Sequence, residues 1–350
     1  MKRWLLVSVL SIGFVLGALA ADLERVTFRL NWIPAGEGDH APFFVAKDLG
    51  FYEEVGLDVT IERGSGSADA VKLVEVDRAD IGLADFVTIA VSRAKGAAIK
   101  IVAQYQVNSP FTIWSRKDLG ITSLQDLAGH TLGSPPGDAQ RVAFPAIAKV
   151  AGLDPESITW VNIHPGAKVQ SLASGTVDAT VHFIDQLYLY RQAIGEDNLV
   201  YFRWADYGVN PYGLAIIVNE ETLANRPDMV RRFLDATFRG VRWTIQHPKE
   251  AIEIMQKYVP EVEIEPVLAM LEVSIKYLMY IDSVVLHGLG WIDGKRMQAS
   301  VELVNTYFDL PRTLAADELY VTDFLPHYTW PYPSEMPNPE TWPLPYEFDF

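Results

Sequence analysis

The chain has 350 residues, 49% of them hydrophobic, and a formal net charge of -16. At ~100–200 residues per domain, this length predicts a globular protein of two domains. The acidic balance argues against nucleic acid or anionic lipid as partners. There is no cysteine, which excludes disulfides, thiolate metal sites, cysteine catalysis and lipid attachment to an N-terminal cysteine.

Residues 1–20 have the pattern of a secretory signal peptide. Lys2 and Arg3 precede an apolar run, and Ala18-Leu19-Ala20 is typical of a cleavage site. The apolar run is shorter than the ~20 residues that a spanning helix needs, so a cleaved signal is favoured over a membrane anchor. An exported chain without cysteine favours a bacterial periplasm over a disulfide-forming secretory pathway.

Short apolar runs alternate with amphipathic stretches, which predicts an α/β protein with largely parallel sheets. The first unit has predicted strands at 26–30, 57–61, 81–84 and 99–105, and predicted helices at 42–54, 67–78 and 88–95. The second unit has predicted strands at 130–133, 158–163 and 179–183, and predicted helices at 124–127, 139–151 and 168–174. We therefore expect two α/β lobes.

The remaining chain is expected to return to the first lobe. A strand at 214–218 and helices at 226–247, 248–258 and 265–280 are predicted there. Crossings near 112–115 and 211–214 would form a two-strand hinge over a central ligand cleft. The expected division is a signal peptide at 1–20, a discontinuous first lobe at 21–114 and 212–310, a second lobe at 115–211, and a proline- and aromatic-rich tail at 311–350.

Several motifs resemble those of the solute-binding components of bacterial ABC importers. They are Asn31-Trp32-x-Pro34, His40, Gly50-Phe51, Gly56-Leu57, Ile81-Gly82, Asp126-Leu127-x-Gly129, Gly152-Leu153 and Leu172-x-x-Gly175-x-Val177-Asp178-Ala179. The chain is similar to the NMT1/THI5-like branch, which takes in thiamine-pyrimidine precursors, riboflavin-like compounds, sulfonates and nitrate. The resemblance implies a type II periplasmic binding protein fold, a monomer, a small-molecule ligand and an inner-membrane permease as partner.

Two glycine-containing turns precede predicted helices. One, at 64–69, contains Ser65, and the other, at 133–138, ends at Asp138. A helix N-terminus presents unpaired N–H groups that suit an anionic or hydrogen-bond-accepting ligand. A plain capped turn is the alternative for each, and neither is a Walker loop, because Gly-Lys-Ser/Thr is missing.

Five residues of the first lobe are candidates for ligand contact. Trp32 could stack on a flat ligand or pack at the lobe edge, and His40 could bond the ligand or begin a helix. Of two adjacent phenylalanines, Phe43 is assigned to the cleft. Asp85 and Phe86 follow a strand, where relatives contact solute, although Asp85 also suits an N-cap.

The second lobe offers Asp138, Arg141, His182 and Asp185. Arg141 could bind a carboxylate or sulfonate, or it could pair with Asp138 at i,i+3. The relatives usually have an acidic residue and a proline after the strand that corresponds to 179–183, and this chain differs there.

Three further candidates lie just before the second crossing. Tyr207, Asn210 and Tyr212 could close over a ring, combining face contact with hydrogen bonds. They could equally stiffen the hinge.

The expected function is capture of a small molecule, with a heteroaromatic such as a pyrimidine thiamine precursor preferred. A small sulfonate or carboxylate is the second candidate, and a periplasmic sensor is a third. Eukaryotic relatives that make the thiamine pyrimidine carry a cysteine-rich motif, which this chain lacks. No His-Glu-x-x-His pair, Gly-x-Ser-x-Gly elbow or clustered His/Asp spacing is present. We therefore expect no catalytic residue, metal or cofactor.

Overall fold

The computed structural model describes residues 23–279, 284 and 287–325. The predicted signal peptide and positions 326–350 of the predicted tail lie outside these residues. The strands are β1 Glu24–Arg29, β2 Leu57–Glu62, β3 Ile81–Asp85, β4 Ile99–Gln104, β5 Phe111–Arg116, β6 Thr131–Gly133, β7 Thr159–Val161, β8 Ala179–Phe183, β9 Leu199–Arg203 and β10 Leu214–Asn219.

The α-helices vary in length from one turn to more than five. They are α1 Ala41–Asp48, α2 Phe51–Glu54, α3 Ser67–Glu75, α4 Phe86–Ala94, α5 Ala139–Ala151, α6 Lys168–Ala173, α7 Leu187–Ile194, α8 Glu220–Asn225, α9 Pro227–Gln246, α10 Pro248–Tyr258, α11 Ile264–Val273 and α12 Gly294–Tyr307. A π-helical segment, Ser274–Met279, continues α11. In the part of the chain that the structure describes, no helix is long and apolar enough to cross a bilayer.

The two sheets have the same layout, which confirms the predicted α/β fold, but both are mixed rather than largely parallel as predicted. The first has the strand order β2-β1-β3-β10-β4, and the second has β7-β6-β8-β5-β9. β1 and β6 pair in parallel with both neighbours, whereas β10 and β5 run antiparallel to both of theirs. Each sheet thus takes its antiparallel strand from chain that has just crossed from the other sheet.

The crossings are loops at 105–110 and 204–213, between β4 and β5 and between β9 and β10. The predicted crossing at 112–115 falls inside β5, which belongs wholly to the second sheet. The lobe boundaries themselves remain predictions.

Helix α9 closes the core of the first lobe. Its Phe233 ring lies 5.2 Å from Phe28 and 5.3 Å from Tyr52, measured between ring centroids. Tyr52 Oη and Thr237 Oγ1 share a hydrogen bond of 2.9 Å. The second lobe is centred on Trp114, which stacks on Tyr190 at 4.4 Å. Each lobe therefore has its own aromatic core.

Two stretches differ from the predicted elements. The single helix expected at 42–54 is interrupted at Gly50, whose φ of 75° is left-handed and favours glycine. The part of the predicted tail at 311–325 packs on the edge strand β4: the Ile101 N–H donates to Leu319 O at 2.8 Å, and the Val321 N–H donates to Ile101 O at 3.0 Å. These bonds satisfy an edge that would otherwise be open.

Candidate functional site

The carboxyl ends of parallel strands from both sheets meet at one cavity between the lobes. β1 and β2 lead to it from the first sheet, and β6, β7 and β8 from the second. Open α/β sheets bind ligands at this edge. The cavity is lined by Asn31, Trp32, Glu37, Ser67, Asp138, Ala139, Gln140, Lys168, His182 and Phe183. Its volume is about 20 Å³, room for roughly one water molecule at ~10–15 Å³.

A buried cation lies at its centre. Lys168 is 2% exposed and forms an ion pair with Asp138 Oδ2. Its ammonium also lies 4.5 Å from the Trp32 ring centroid, a cation–π contact between the lobes. Asp138 Oδ1 caps α5 by accepting the Gln140 N–H at 2.8 Å. One carboxylate therefore fixes both the lysine and the start of a helix.

Two side chains at the cavity have unused hydrogen-bonding atoms. Among the described residues, Glu37 Oε2 and His182 Nε2 are buried and have no partner. His182 Nδ1 and Tyr190 Oη lie 3.2 Å apart, and the His182 ring centroid is 6.5 Å from that of Trp32. Burial, and then the charge of Lys168, holds the pKa of His182 well below its usual value, so this imidazole is neutral.

Glu37 is one of three buried carboxyl groups that lie together in what we call the carboxyl cluster: Glu37, Asp39 and Asp185. One oxygen from each lies within 4.8 Å of the others. Asp39 Oδ2 accepts a hydrogen bond from Gln106 Nε2 at 2.6 Å, and Asp185 Oδ2 accepts one from Ser274 Oγ at 3.0 Å. Burial raises the pKa of Asp185 to about 6, and burial together with the neighbouring carboxylates raises the pKa of Glu37 and that of Asp39 well above their usual values.

The lobes also touch through polar contacts around the cavity. Gln186 Nε2 donates to Gly36 O at 2.9 Å, and the Ala68 N–H donates to Gly137 O at 3.4 Å. The arrangement is therefore one in which the lobes are closed against each other.

Three of the predicted site residues line the cavity: Trp32, Asp138 and His182. Asp185 lies in the carboxyl cluster next to it. Asp85 is the N-cap of α4 and accepts the Val87 N–H at 2.8 Å. Ligand contact by any of these residues remains a prediction.

Other candidates lie within the lobes. Phe43 does not face the cleft, because its ring is tilted against Phe28 at 4.7 Å and stacked on Tyr105 at 5.1 Å. Phe86 and Tyr212 are buried with their ring centroids 6.3 Å apart. None of these three side chains lines the cavity, and ligand contact by them remains a prediction. Sequence patterns alone could not determine how the helices and the crossing loop are rotated.

Ser65 and His40 do not line the cavity, but a residue near each of them does. Ser65 is exposed, and Ser67, two residues on, lines the cavity. His40 is fully buried behind the cavity, with its Nε2 2.9 Å from Asn31 Oδ1. Asn31 itself lines the cavity, so His40 acts on the site by orienting this amide.

Arg141 does not reach the cavity. Its Nη1 donates to Asn162 Oδ1 at 2.6 Å and to Ser134 O at 3.1 Å, and its guanidinium lies 4.9 Å from the Trp160 ring centroid. The alternative pair with Asp138 is not formed either, because that carboxylate binds Lys168.

The candidates of the second crossing also lie away from the cavity. Tyr207 is 38% exposed. Asn210 Oδ1 accepts the Ser109 N–H at 3.0 Å and so joins the two crossing loops. This contact fits the alternative in which these residues stiffen the hinge.

The sequence reasoning missed Glu37, Ser67, Gln140 and Lys168. For Lys168 a clue exists, because a lysine in the first turn of a helix opposes the helix dipole and needs a compensating partner. Glu37 carries no comparable clue in its flexible-looking Gly-Glu-Gly context.

Two lobes with this strand order and an interlobe cavity define the periplasmic binding protein fold. A solved Candida albicans protein, described as having the generic periplasmic binding protein fold, matches with a TM-score of 0.66 and 16% identity over 86% of this chain and 97% of its own. The family model described as NMT1/THI5 like matches residues 37–251. The chain belongs to this family.

The chain is similar in sequence both to a protein named as a synthase and to one named as a binding protein. A Legionella pneumophila protein named 4-amino-5-hydroxymethyl-2-methylpyrimidine phosphate synthase is 29% identical over 70% of this chain and 77% of its own length. A formylaminopyrimidine-binding protein from Halalkalibacterium halodurans is 28% identical over 72% and 76%. The names of these two relatives refer to pyrimidine chemistry, one through synthesis and one through binding.

Proposed function

We propose that this protein is a periplasmic solute-binding protein that captures a pyrimidine-class ring between its lobes and delivers it to an inner-membrane permease. The observation that carries the proposal is the indole of Trp32 at a closed cavity beside the unpartnered atoms of Glu37 and His182. An aromatic face and a few convergent polar groups are what a flat, hydrogen-bonding ligand needs. The predicted signal peptide and the resemblance to importer components support the periplasmic and transport parts.

The charges at the cavity favour a ring over an anion. Two acidic side chains, Glu37 and Asp138, line it, and its lysine is already paired. The N-terminus of α5, a natural anion site, is capped by Asp138. A sulfonate would therefore meet carboxyl groups rather than free cations, whereas an amino group on a pyrimidine would donate to Glu37 and a ring nitrogen would accept from a donor such as Gln140.

The size of the cavity couples binding to lobe movement. It has room for about one water, less than a six-membered ring with substituents. A ring must therefore enter while the lobes are apart, and with a ring bound the lobes would close less far than they do here.

Synthesis is the second candidate function, because the Legionella relative is named as a synthase. We favour binding because the chain has no cysteine and Lys168, the one lysine at the cavity, is held by Asp138 as a charged ion-pair partner rather than as a free amine. Incubating a cell extract with and without the purified protein, and following 4-amino-5-hydroxymethyl-2-methylpyrimidine phosphate by mass spectrometry, tests this. Formation of that compound only when the protein is added would overturn the assignment as a binding protein.

Calorimetry tests the ligand class directly. We expect 4-amino-5-hydroxymethyl-2-methylpyrimidine or its formylamino analogue to bind, and alkanesulfonates and small carboxylates to bind far more weakly. Trp32→Ala should weaken binding by more than about tenfold, the loss of roughly 1.4 kcal/mol. Trp291→Ala, the same change at a side chain that is 38% exposed and away from the cavity, is the matched control. Tight binding of an anion alone would overturn the proposal.

A further inference from the structure

The carboxyl cluster joins buried acidic groups from both lobes. Glu37 and Asp39 lie on the loop after β1 in the first lobe, and Asp185 follows β8 in the second. The side chains are between 0% and 2% exposed, with one oxygen of each within 4.8 Å of the others. Glu37 Oε2 and Asp39 Oδ1 have no partner among the described residues. Separating the lobes would separate Asp185 from the other two.

Few charges are available to balance the cluster. Lys168 acts on Glu37, but it is paired with Asp138, whose own charge opposes it. Tyr105 Oη donates to Asp39 O and is neutral, since burial raises its pKa well above its usual value. His40 and His182 are neutral, because burial lowers the pKa of both. The three carboxyl groups cannot all be ionised here unless a cation is added. Without one, the cluster must hold protons.

Among the described residues, no cation on the helices packed against the cluster contributes to the pKa shift of Asp39. On α11, Glu272 has its pKa raised to about 7 by burial alone, without a contribution from the cluster. In the π-helical segment, the ammonium of Lys276 lies 5.6 Å from the Tyr277 ring centroid. Ser274, in the same segment, supplies a neutral hydroxyl to Asp185.

We propose that closing the lobes takes up protons at the carboxyl cluster, so that the closed form is favoured in mildly acidic solution and the cleft opens as pH rises. This pH dependence would regulate the proposed binding site, and it rests on the proposed function only in the experiments that use a ligand. In the open form Asp185 lies away from Glu37 and Asp39 and regains water, so the pKa values of the cluster fall toward ~4. The closed form then binds more protons between about pH 4 and the raised values, so closure weakens as pH rises through that window.

The distance between lobes can be measured without any ligand, because the chain has no cysteine. Glu75→Cys and Glu156→Cys place spin labels on exposed positions of the first and second lobes. We expect the interlabel distance at pH 5 to be that of the closed form and a longer distance to dominate at pH 8. The neutral variant Asp39→Asn/Asp185→Asn should stay closed at both pH values, whereas Asp228→Asn, an exposed carboxylate elsewhere, should behave as the parent.

Two results would overturn the inference. One is an interlabel distance that does not change with pH, or that changes equally in the double variant. The other is closure at pH 8 on adding Ca²⁺ or Mg²⁺, reversed by a chelator, which would show that a cation rather than protons balances the cluster.

Calorimetry in buffers of different ionisation heat separates this inference from the proposed function. We expect uptake of about one proton or more per pyrimidine bound at pH 6.5, reduced in the double variant, and an affinity at least tenfold weaker at pH 7.5 than at pH 5. If no pyrimidine binds but the lobes still open with pH, the ligand assignment fails and the inference stands. If a pyrimidine binds without proton uptake and with no pH-dependent distance, the inference fails alone.

Discussion

Lys168 combines two roles that are seldom found in one buried lysine. Its ammonium neutralises Asp138 in the second lobe and faces the indole of Trp32 in the first. A buried cation is stable only while its partners remain, because the desolvation cost is incurred whether or not they are present. The residue therefore links the stability of the second lobe to the shape of the cavity.

Replacing Lys168 should destabilise the fold. Lys168→Met keeps the length of the side chain but leaves Asp138 buried and unpaired, so we expect the free energy of unfolding to fall by about 3–5 kcal/mol in urea titrations. Lys249→Met, at an exposed i,i+4 pair with 3.9 Å between the charged atoms, should cost less than about 1 kcal/mol. Equal effects of the two changes would contradict the buried pair. The double variant Lys168→Met/Asp138→Asn should be more stable than Lys168→Met alone.

His40 should stay neutral in acid. It is fully buried, and burial lowers its pKa to about 3, against ~6.5 in an unfolded chain. The unfolded state then binds the extra proton, so His40 makes the fold less stable as pH falls from ~6.5 toward 3, by up to about 1.4 kcal/mol per pH unit.

The measurement is a proton NMR titration of the imidazole Cε1–H of His40. We expect no shift change between pH 4.5 and 8 in the folded protein and a midpoint near ~6.5 in urea. A folded-state midpoint above 5 would show that the imidazole reaches water. Acid destabilises the fold through His40, whereas it favours lobe closure through the carboxyl cluster, so the two effects can be distinguished.

At the scale of elements, helix α9 anchors the first lobe. Phe233 fills the space between Phe28 and Tyr52, and it is fully buried. Phe233→Ala should therefore lower the free energy of unfolding by about 3–5 kcal/mol. Tyr207→Ala removes an aromatic ring that is 38% exposed and should cost less than about 1 kcal/mol.

The same pair of variants tests the site. Because neither side chain lines the cavity, both proteins should bind a pyrimidine with the parent affinity at a temperature where they are folded. Loss of affinity in Tyr207→Ala would return that tyrosine to the ligand site, and a small stability change in Phe233→Ala would contradict the core packing.

Sequence reasoning reached the elements with strong periodicity and the residues just after strands. Trp32, Asp138 and His182 follow or end strands, and the rule that parallel strands meet at their carboxyl ends brings them together. This rule does not identify Lys168 or Glu37, because Lys168 begins a short helix and Glu37 lies within a loop. Periodicity also leaves the rotation of a helix undetermined where adjacent residues are both apolar, as at Phe43.

At the scale of the whole molecule, the strand order was outside the reach of sequence patterns. β10 lies between β3 and β4 in the first sheet, although in the chain it follows all strands of the second sheet. β5 comes first among the strands of the second sheet in the chain, but it lies between β8 and β9 in that sheet. Such non-local pairing depends on packing between segments far apart in the chain. The sequence therefore predicts two crossings between the lobes, but not which residues form the crossing loops. The result is two lobes that are connected by the loops at 105–110 and 204–213 and contact each other around the cavity.

One of those contacts is a close approach of two backbones. Gly66 has a φ of 141° in the first lobe, and a Cβ there would lie 2.3 Å from Gly137 O in the second. Real Cβ atoms do not come so close to a backbone oxygen, so Gly66→Ala should keep the lobes apart. Each lobe would keep its own core, because the clash lies between them.

Small-angle scattering and calorimetry should show this together. At pH 5, where the parent is closed, we expect Gly66→Ala to have a larger radius of gyration than the parent and to bind a pyrimidine at least about tenfold more weakly, while its circular dichroism spectrum is unchanged. Gly96→Ala is the matched control, since Gly96 has a φ of 104° with nothing within 4 Å of its Cβ position. It carries the backbone strain of a left-handed alanine without the contact between lobes. If both variants lose affinity equally, strain rather than lobe closure explains the loss; if neither does, tight approach at Gly66 is not needed for binding.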